Sequence, residues 1–356
     1  MSAIINDYPW TAHPLVVSAP MARVAKPPLA VAVSKAQGLG FIAAGYTSDN
    51  LDDLLEEATN LLSDRKIIHS NDFSVLPVGV GFITWSASLK TAIPVIRKHC
   101  PCAVWLFAPP TGFQDLVPWA TQIRDATSNR TKIWVQIGSV ADAIQVARVV
   151  RPDVLVVQGS DAGGHSLARG ASIVTLVPEV YDKIGNEIQG PGGKPIQLIA
   201  AGGICDGRGV AAAVNLGAQG CVLGTRFLAS PESMIAQGYQ DEILRASDGG
   251  STTVRTKIYD TVRDIHGWPD EYNGRGLINQ TYVDAVQGMM EEENRELYLQ
   301  AMEEGDQGYG PKGRLTTYAG TGVGLVNKVM AASEIVISVR DLAYKLLYRQ
   351  KQMSRL

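Results

Sequence analysis

One histidine in this chain has neighbours that suit chemistry. His165 follows the run "VLVVQGSDAGGHSLARG" (154–170), where a β-branched apolar segment breaks on Gly159 and then on Gly163-Gly164. An unperturbed imidazole titrates near pH ~6.5, so at neutral pH it can act as a general base or hold an anion. Further along, Gly202-Gly203 and Gly224-Thr225 offer backbone N–H groups that an anion can approach without Cβ obstruction. A helix starting near Asp206-Gly207 would add its positive N-terminal end. Together these features form a phosphate cradle beside a candidate base. Taken singly, the glycines also suit tight turns and close helix packing, and the histidine a structural role. His13, His69, His99 and His266 receive the structural reading, because none shares a strand end with a second polar group.

Other chemistries are disfavoured. No Asp/Glu/His cluster has metal-ligand spacing, so no metal is expected. Asp161 and His165 would pair only on a helix, and their segment reads as a loop. There is no G-x-S-x-G elbow and no Walker A loop.

The elements that must position these residues recur at regular intervals. Short apolar segments ending in Gly, Pro or Ser lie at 15–21, 38–45, 76–83, 103–110, 132–139, 154–160, 196–203 and 220–227. Each is about strand length and almost continuously apolar, as a strand buried on both faces must be. Helical patterns fill the gaps: "LDDLLEEATNLL" (51–62), with Ser48 and Asp49 as cap candidates, and "VADAIQVARVV" (140–150), after Ser139. Eight β–α units in about 230 residues predict a (β/α)8 TIM barrel, an α/β fold. A doubly wound open sheet is the runner-up, but its glycine fingerprint should follow the first strand, where this chain has "SAPM".

In a barrel the carboxyl ends of the strands share one pocket. That rim would hold Ala19, Pro20 and Met21 from the first strand, Gln136 from the fifth, and Gln158, Gly163 and His165 from the sixth. Gly202 and Gly203 would come from the seventh, and Val222, Leu223, Gly224 and Thr225 from the eighth. We expect residues 1–231 to form the barrel and 232–325 a mainly helical insertion capping its mouth. The remainder, 326–356, would be a closing helix that docks back, plus a tail.

Net charge is −3, from 32 basic and 35 acidic residues dispersed along the chain, so no basic stripe points to nucleic acid. The first residues carry no charged lead-in followed by an apolar run, and no apolar run reaches the ~18 residues of a membrane span. Cys100, Cys102, Cys205 and Cys221 do not form a disulfide framework and read as buried thiols in a reducing compartment. The terminal Ser354-Arg355-Leu356 differs from the peroxisomal Ser-Lys-Leu only by a charge-conserving change, so an import receptor is an expected partner; chance at a polar tail is the alternative.

With the sixth, seventh and eighth segments read together, "VVQGSDAGGH" (156–165), "IAAGGICDGRGV" (199–210) and "CVLGTRFLASPES" (221–233) resemble hallmark segments of the nitronate monooxygenase family, formerly the 2-nitropropane dioxygenases. "SAPMARVAKPPLAVAVSKAQGLGFIAAGY" (18–46) and "YAGTGVGLV" (318–326) resemble its N-terminal segment and late loop. The resemblance implies a TIM barrel with an inserted helical domain and FMN as cofactor. Ala19, Pro20 and Met21 would line the flavin ring, Gln158 and Gly163 would contact it, and Gln136 would lie near it. Gly202, Gly203 and Val222–Thr225 would hold the phosphate. His165 would be the catalytic histidine in oxidation of an alkyl nitronate by O2 to a carbonyl compound and nitrite.

Some family members carry another histidine after the fourth strand, where "WLFAPPTG" (105–112) has none. The apolar wall implies either a different substrate range or the absence of nitronate activity. The same superfamily includes NAD(P)H-dependent quinone and enoyl-thioester reductases, which stand as the alternative. A flavin-binding protein without turnover and a phosphate-sugar isomerase are further ones.

Overall fold

The computed structural model describes residues 3–63, 74–184 and 188–353. All eight apolar segments become strands: β1 (Leu15–Ser18), β2 (Leu39–Ala43), β3 (Leu76–Ile83), β4 (Pro101–Phe107), β5 (Lys132–Ile137) and β6 (Val154–Gln158). A short strand outside the barrel, β7 (Gly164–Leu167), comes next, and β8 (Gln197–Ala201) and β9 (Gly220–Leu223) complete the barrel. Every barrel pairing is parallel, and β1 meets β9 from Leu15↔Gly220 to Ser18↔Leu223. An open doubly wound sheet would leave those two strands as edges. Their pairing closes a barrel.

Two-sided burial explains why the strands are so apolar. Phe41, Trp105 and Trp134 meet inside, with ring centroids 5.1–6.0 Å apart. The glycines of "VGVG" in β3 make room for inward groups. A Cβ on Gly79 would sit 2.3 Å from the Phe41 ring, and one on Gly81 would sit 2.3 Å from Pro20 Cβ.

The helices lie close to their expected bounds. Ser139 Oγ accepts from Asp142 N at 3.1 Å and caps Val140–Val149. Ser48 does not cap Leu51–Ser63; its φ is +63° and its buried Oγ has no hydrogen-bond partner.

Beyond β9 the chain forms helices, among them Gln237–Arg245 and Glu291–Glu303, and also two strands. These are β10 (Thr253–Thr256) and β11 (Tyr272–Leu277), which join β7 in an antiparallel sheet of order β10-β11-β7. The region is therefore less purely helical than its sequence suggests, and residues 164–167 are strand rather than loop. "TVRT" and "YNGRGL" lack the apolar continuity that marks the barrel strands. The final helix, Ala332–Met353, returns to the barrel and packs on Gly207–Asn215. A Cβ on Gly207 would lie 2.5 Å from Val339 O, so this approach depends on glycine. Ser354-Arg355-Leu356 and His69 lie outside the described residues.

Candidate active site

A cavity of about 880 Å³ opens at the carboxyl ends of the strands. Ala19, Pro20, Met21, Gln136, Gln158, Gly163, His165, Gly202, Gly203, Val222, Gly224 and Thr225 all line it. Leu223 does not: it is fully buried in the barrel core, and its carbonyl already accepts the Ala19 N–H at 3.1 Å. The volume lies within the roughly 300–1,000 Å³ typical of ligand and cofactor pockets.

The floor is held by a chain of amides. Trp105 Nε1 donates to Gln136 Oε1 at 3.1 Å, Gln136 Nε2 to Gln158 Oε1 at 2.6 Å, and Gln158 Nε2 to the His165 carbonyl at 3.4 Å. Each glutamine is thereby fixed in one orientation, and the barrel interior is tied to the histidine strand. Gln136→Leu should leave the indole N–H and the Gln158 carbonyl unpaired, at a cost of about 1–3 kcal/mol. Chemical denaturation would measure it, and an unchanged midpoint would contradict this role.

The loop between β6 and β7 is clipped from two sides. A Cβ on Gly163 would lie 2.4 Å from Gly320 N, so "AGTG" of the late loop packs backbone against backbone here. Thr321 N and Oγ1 donate to Asp161 O and Oδ1 at 3.0 and 2.8 Å, and Gly320 N donates to Thr225 Oγ1 at 3.0 Å. From the other side, Arg255 donates to Ala162 O at 2.8 Å and Arg275 to Ser160 O at 3.3 Å. Burial and the neighbouring Arg275 lower the Arg255 guanidinium to about 10.

On β7, His165 pairs with Gly274 of β11. Its Nε2 lies 2.8 Å from Asp260 Oδ2, with both side chains about nine-tenths buried. Asp161 is thus not its partner. The imidazole stacks on Trp268, centroids 3.9 Å apart and planes 4° apart. Tyr318 donates to Asp260 Oδ1 at 3.1 Å, and Arg263 donates to the Tyr318 hydroxyl at 3.3 Å. Burial, reinforced by Asp260, pushes the Tyr318 hydroxyl well above its ordinary value, so it remains a donor.

Asp260, Arg263, Trp268 and Tyr318 are the residues that the strand-end reading missed. They come from the region after β9 and reach His165 only through the fold. The one available signal was a tyrosine placed directly before the glycine loop, together with the acid and aromatic residues of "IYDTVRDIHGWPD" (258–270). Phe107, the last residue of β4 and part of the "WLFAPPTG" segment that has no histidine, lines the cavity and packs on Trp268 and Tyr272 with centroids 5.9 and 5.3 Å apart. That wall is apolar.

Gly202 and Gly203 adopt φ of +104° and +74°. At Gly224 a Cβ would project between the β1 and β9 turns, with Ala19 Cβ and Met21 Sδ nearest at 3.8 and 3.9 Å. The helix after β8 contributes less than its sequence suggests. Asp206 Oδ1 already accepts from Arg208 N and Gly209 N at 2.9 and 3.3 Å, satisfying that N-terminus internally. Cys205 lines the cavity, and burial pushes its thiol up to about 12, which keeps it protonated.

A closed parallel barrel with its cavity at the carboxyl ends of the strands is the architecture of a (β/α)8-barrel enzyme. The model of the nitronate monooxygenase family matches residues 8–65 and 117–340. A nitronate monooxygenase of Metarhizium robertsii is 46% identical over 347 residues, spanning 97% of this chain and 95% of that protein. One from Neurospora crassa is 37% identical, spanning 94% and 90%. Among solved structures, FabK from Thermotoga maritima superposes with a TM-score of 0.72 at 24% identity, covering 99% of both chains. A nitroalkane oxidase from Streptomyces ansochromogenes gives 0.72 at 21%, covering 98% of this chain and all of that one. The chain belongs to the nitronate monooxygenase family and is an oxidoreductase.

Proposed function

We propose that this enzyme uses FMN and O2 to oxidise alkyl nitronates, and nitroalkanes once deprotonated, to a carbonyl compound and nitrite. An oxygen atom joins the carbon as its bond to nitrogen breaks. The observation that carries this reading is His165, set on the wall of the same cavity as three glycine turns and backed by Asp260. Family membership and the named activities of the relatives support the substrate class.

The residues present fit the cofactor. The cavity is large enough, and Gly224 leaves open a space that a Cβ would fill. Ala19, Pro20 and Met21 would lie against the ring, with Gln136, Gln158 and Gly163 as further contacts. Gly202, Gly203, Val222, Gly224 and Thr225 would surround the phosphate. Bound there, FMN would supply one-electron transfer between substrate and oxygen. His165 would take the proton from the carbon beside the nitro group and, in its protonated form, would hold the nitronate oxygens by charge and hydrogen bonding. Phe107, Trp268 and Tyr46 would exclude water around the substrate carbon chain.

The purified protein, given an alkyl nitronate in air, should release nitrite and the matching aldehyde or ketone. NADPH consumption with no nitrite from the nitronate would overturn the proposal in favour of a reductase.

A further inference from the structure

We infer that Asp260 is a positioning residue that sets the tautomer of His165, so that a bare Nδ1 faces the cavity where a neutral nitroalkane must give up its proton. The inference rests on the proposed function and adds to it a residue and a substrate distinction.

An ionised carboxylate can only accept hydrogen bonds. Asp260 meets two groups: Tyr318 Oη at 3.1 Å, donating to Oδ1, and His165 Nε2 at 2.8 Å from Oδ2. The second contact is a hydrogen bond only if Nε2 carries the proton, which leaves the lone pair on Nδ1. Among the described residues Nδ1 has no hydrogen-bond partner, and His165 lines the cavity. The stack on Trp268 at 3.9 Å fixes the ring plane, so the ring cannot turn without losing both contacts. Arg263, donating to the Tyr318 hydroxyl at 3.3 Å, orients that hydroxyl toward Asp260.

This arrangement has a specific chemical use. When Nδ1 takes the proton from the carbon, the C–H electron pair becomes part of the carbon–nitrogen double bond and the nitro oxygens gain the charge. The imidazole becomes a cation nine-tenths buried, and Asp260 is the carboxylate beside it. A buried cation without a partner is costly, so the carboxylate matters most in this step. A preformed nitronate has already lost that proton and does not require the step. Asp260 therefore separates two substrates that differ by one proton.

The test compares Asp260→Asn with wild type on a nitroalkane and on its preformed nitronate. Nitroalkane kcat should fall by about 10²-fold or more, by analogy with loss of the orienting carboxylate behind a catalytic histidine. Nitronate turnover should change by no more than about threefold. Asp260→Glu should recover part of the nitroalkane rate. In ¹⁵N-labelled protein, the His165 imidazole should show the Nε2–H tautomer in wild type and lose that preference in Asp260→Asn.

Equal losses on both substrates, or an unchanged tautomer, would overturn the inference. If Asp260→Asn does not retain flavin, Tyr318→Phe carries the same comparison, with a roughly threefold to tenfold loss expected on the nitroalkane alone. Equal losses there would also overturn it. His165→Asn is the control: if it retains nitroalkane activity, the proposed role of His165 fails. If it loses that activity while Asp260→Asn keeps the wild-type rate, only the present inference fails.

Discussion

His165→Asn is expected to lower the oxidation of a neutral nitroalkane by about 10²–10⁴-fold, the usual worth of a general base. Asparagine reaches only as far as the position of Nδ1, so it supplies neither a basic nitrogen nor the Nε2–H that faces Asp260 Oδ2 in the wild type. The β7 backbone remains paired with β11, because the Gly274 register involves main chain only. The clamps on Ser160, Asp161 and Ala162 do not involve the imidazole. Flavin content should therefore stay close to wild type and the loss should reside in kcat, while the Asp260 carboxylate left without its imidazole partner should lower the melting temperature. A preformed nitronate should suffer far less. A variant that oxidises nitroalkane at the wild-type rate would show that the histidine is only a structural residue stacked on Trp268.

Gly202→Ala should damage the proposed phosphate cradle. At φ +104° an L side chain is strained, and its Cβ would lie 2.8 Å from Gly159 O and 3.1 Å from Ala162 N. Relief would require displacing either the β8 turn or the loop that leads to His165. Strain of this kind costs about 1–3 kcal/mol, or roughly 5–150-fold if charged against binding. The flavin-to-protein ratio after dialysis would read the loss directly. Gly192→Ala is the matched control: its φ is +64°, nothing lies within 4 Å of the new Cβ, and Gly192 is not among the residues lining the cavity. Equal flavin retention in the two variants would remove Gly202 from the phosphate cradle.

The barrel was legible because a strand buried on both faces leaves a run such as "VLVVQ" with little alternation to misread. β10 and β11 escaped for the opposite reason: "TVRT" and "YNGRGL" are half polar and take their places by pairing, β10 with β11 and β11 with β7. The same division holds for the site. Residues at barrel strand ends are ordered by the fold's own geometry, so Gln136, Gln158 and His165 could be placed on one rim from their positions alone. Asp260 and Tyr318 could not: Asp260 is 95 positions from His165 in the chain, and Tyr318 a further 58 beyond. No local periodicity encodes such a meeting. The helix N-terminus at Asp206-Gly207 shows the converse limit. Its dipole is legible, but whether a ligand can use it depends on where the Asp206 carboxylate turns, and it turns onto its own helix.

Under the proposed function a nitronate, rather than a nicotinamide, is the electron donor to this cavity. This is tested most directly by absorbance of the purified holoprotein under anaerobic conditions, with an alkyl nitronate in one cuvette and NADH or NADPH in another. Flavin bands should be present that the nitronate alters rapidly, with oxidised absorbance restored when air is admitted, and little change should follow either nicotinamide. Rapid bleaching by the nicotinamide with none by the nitronate would contradict it.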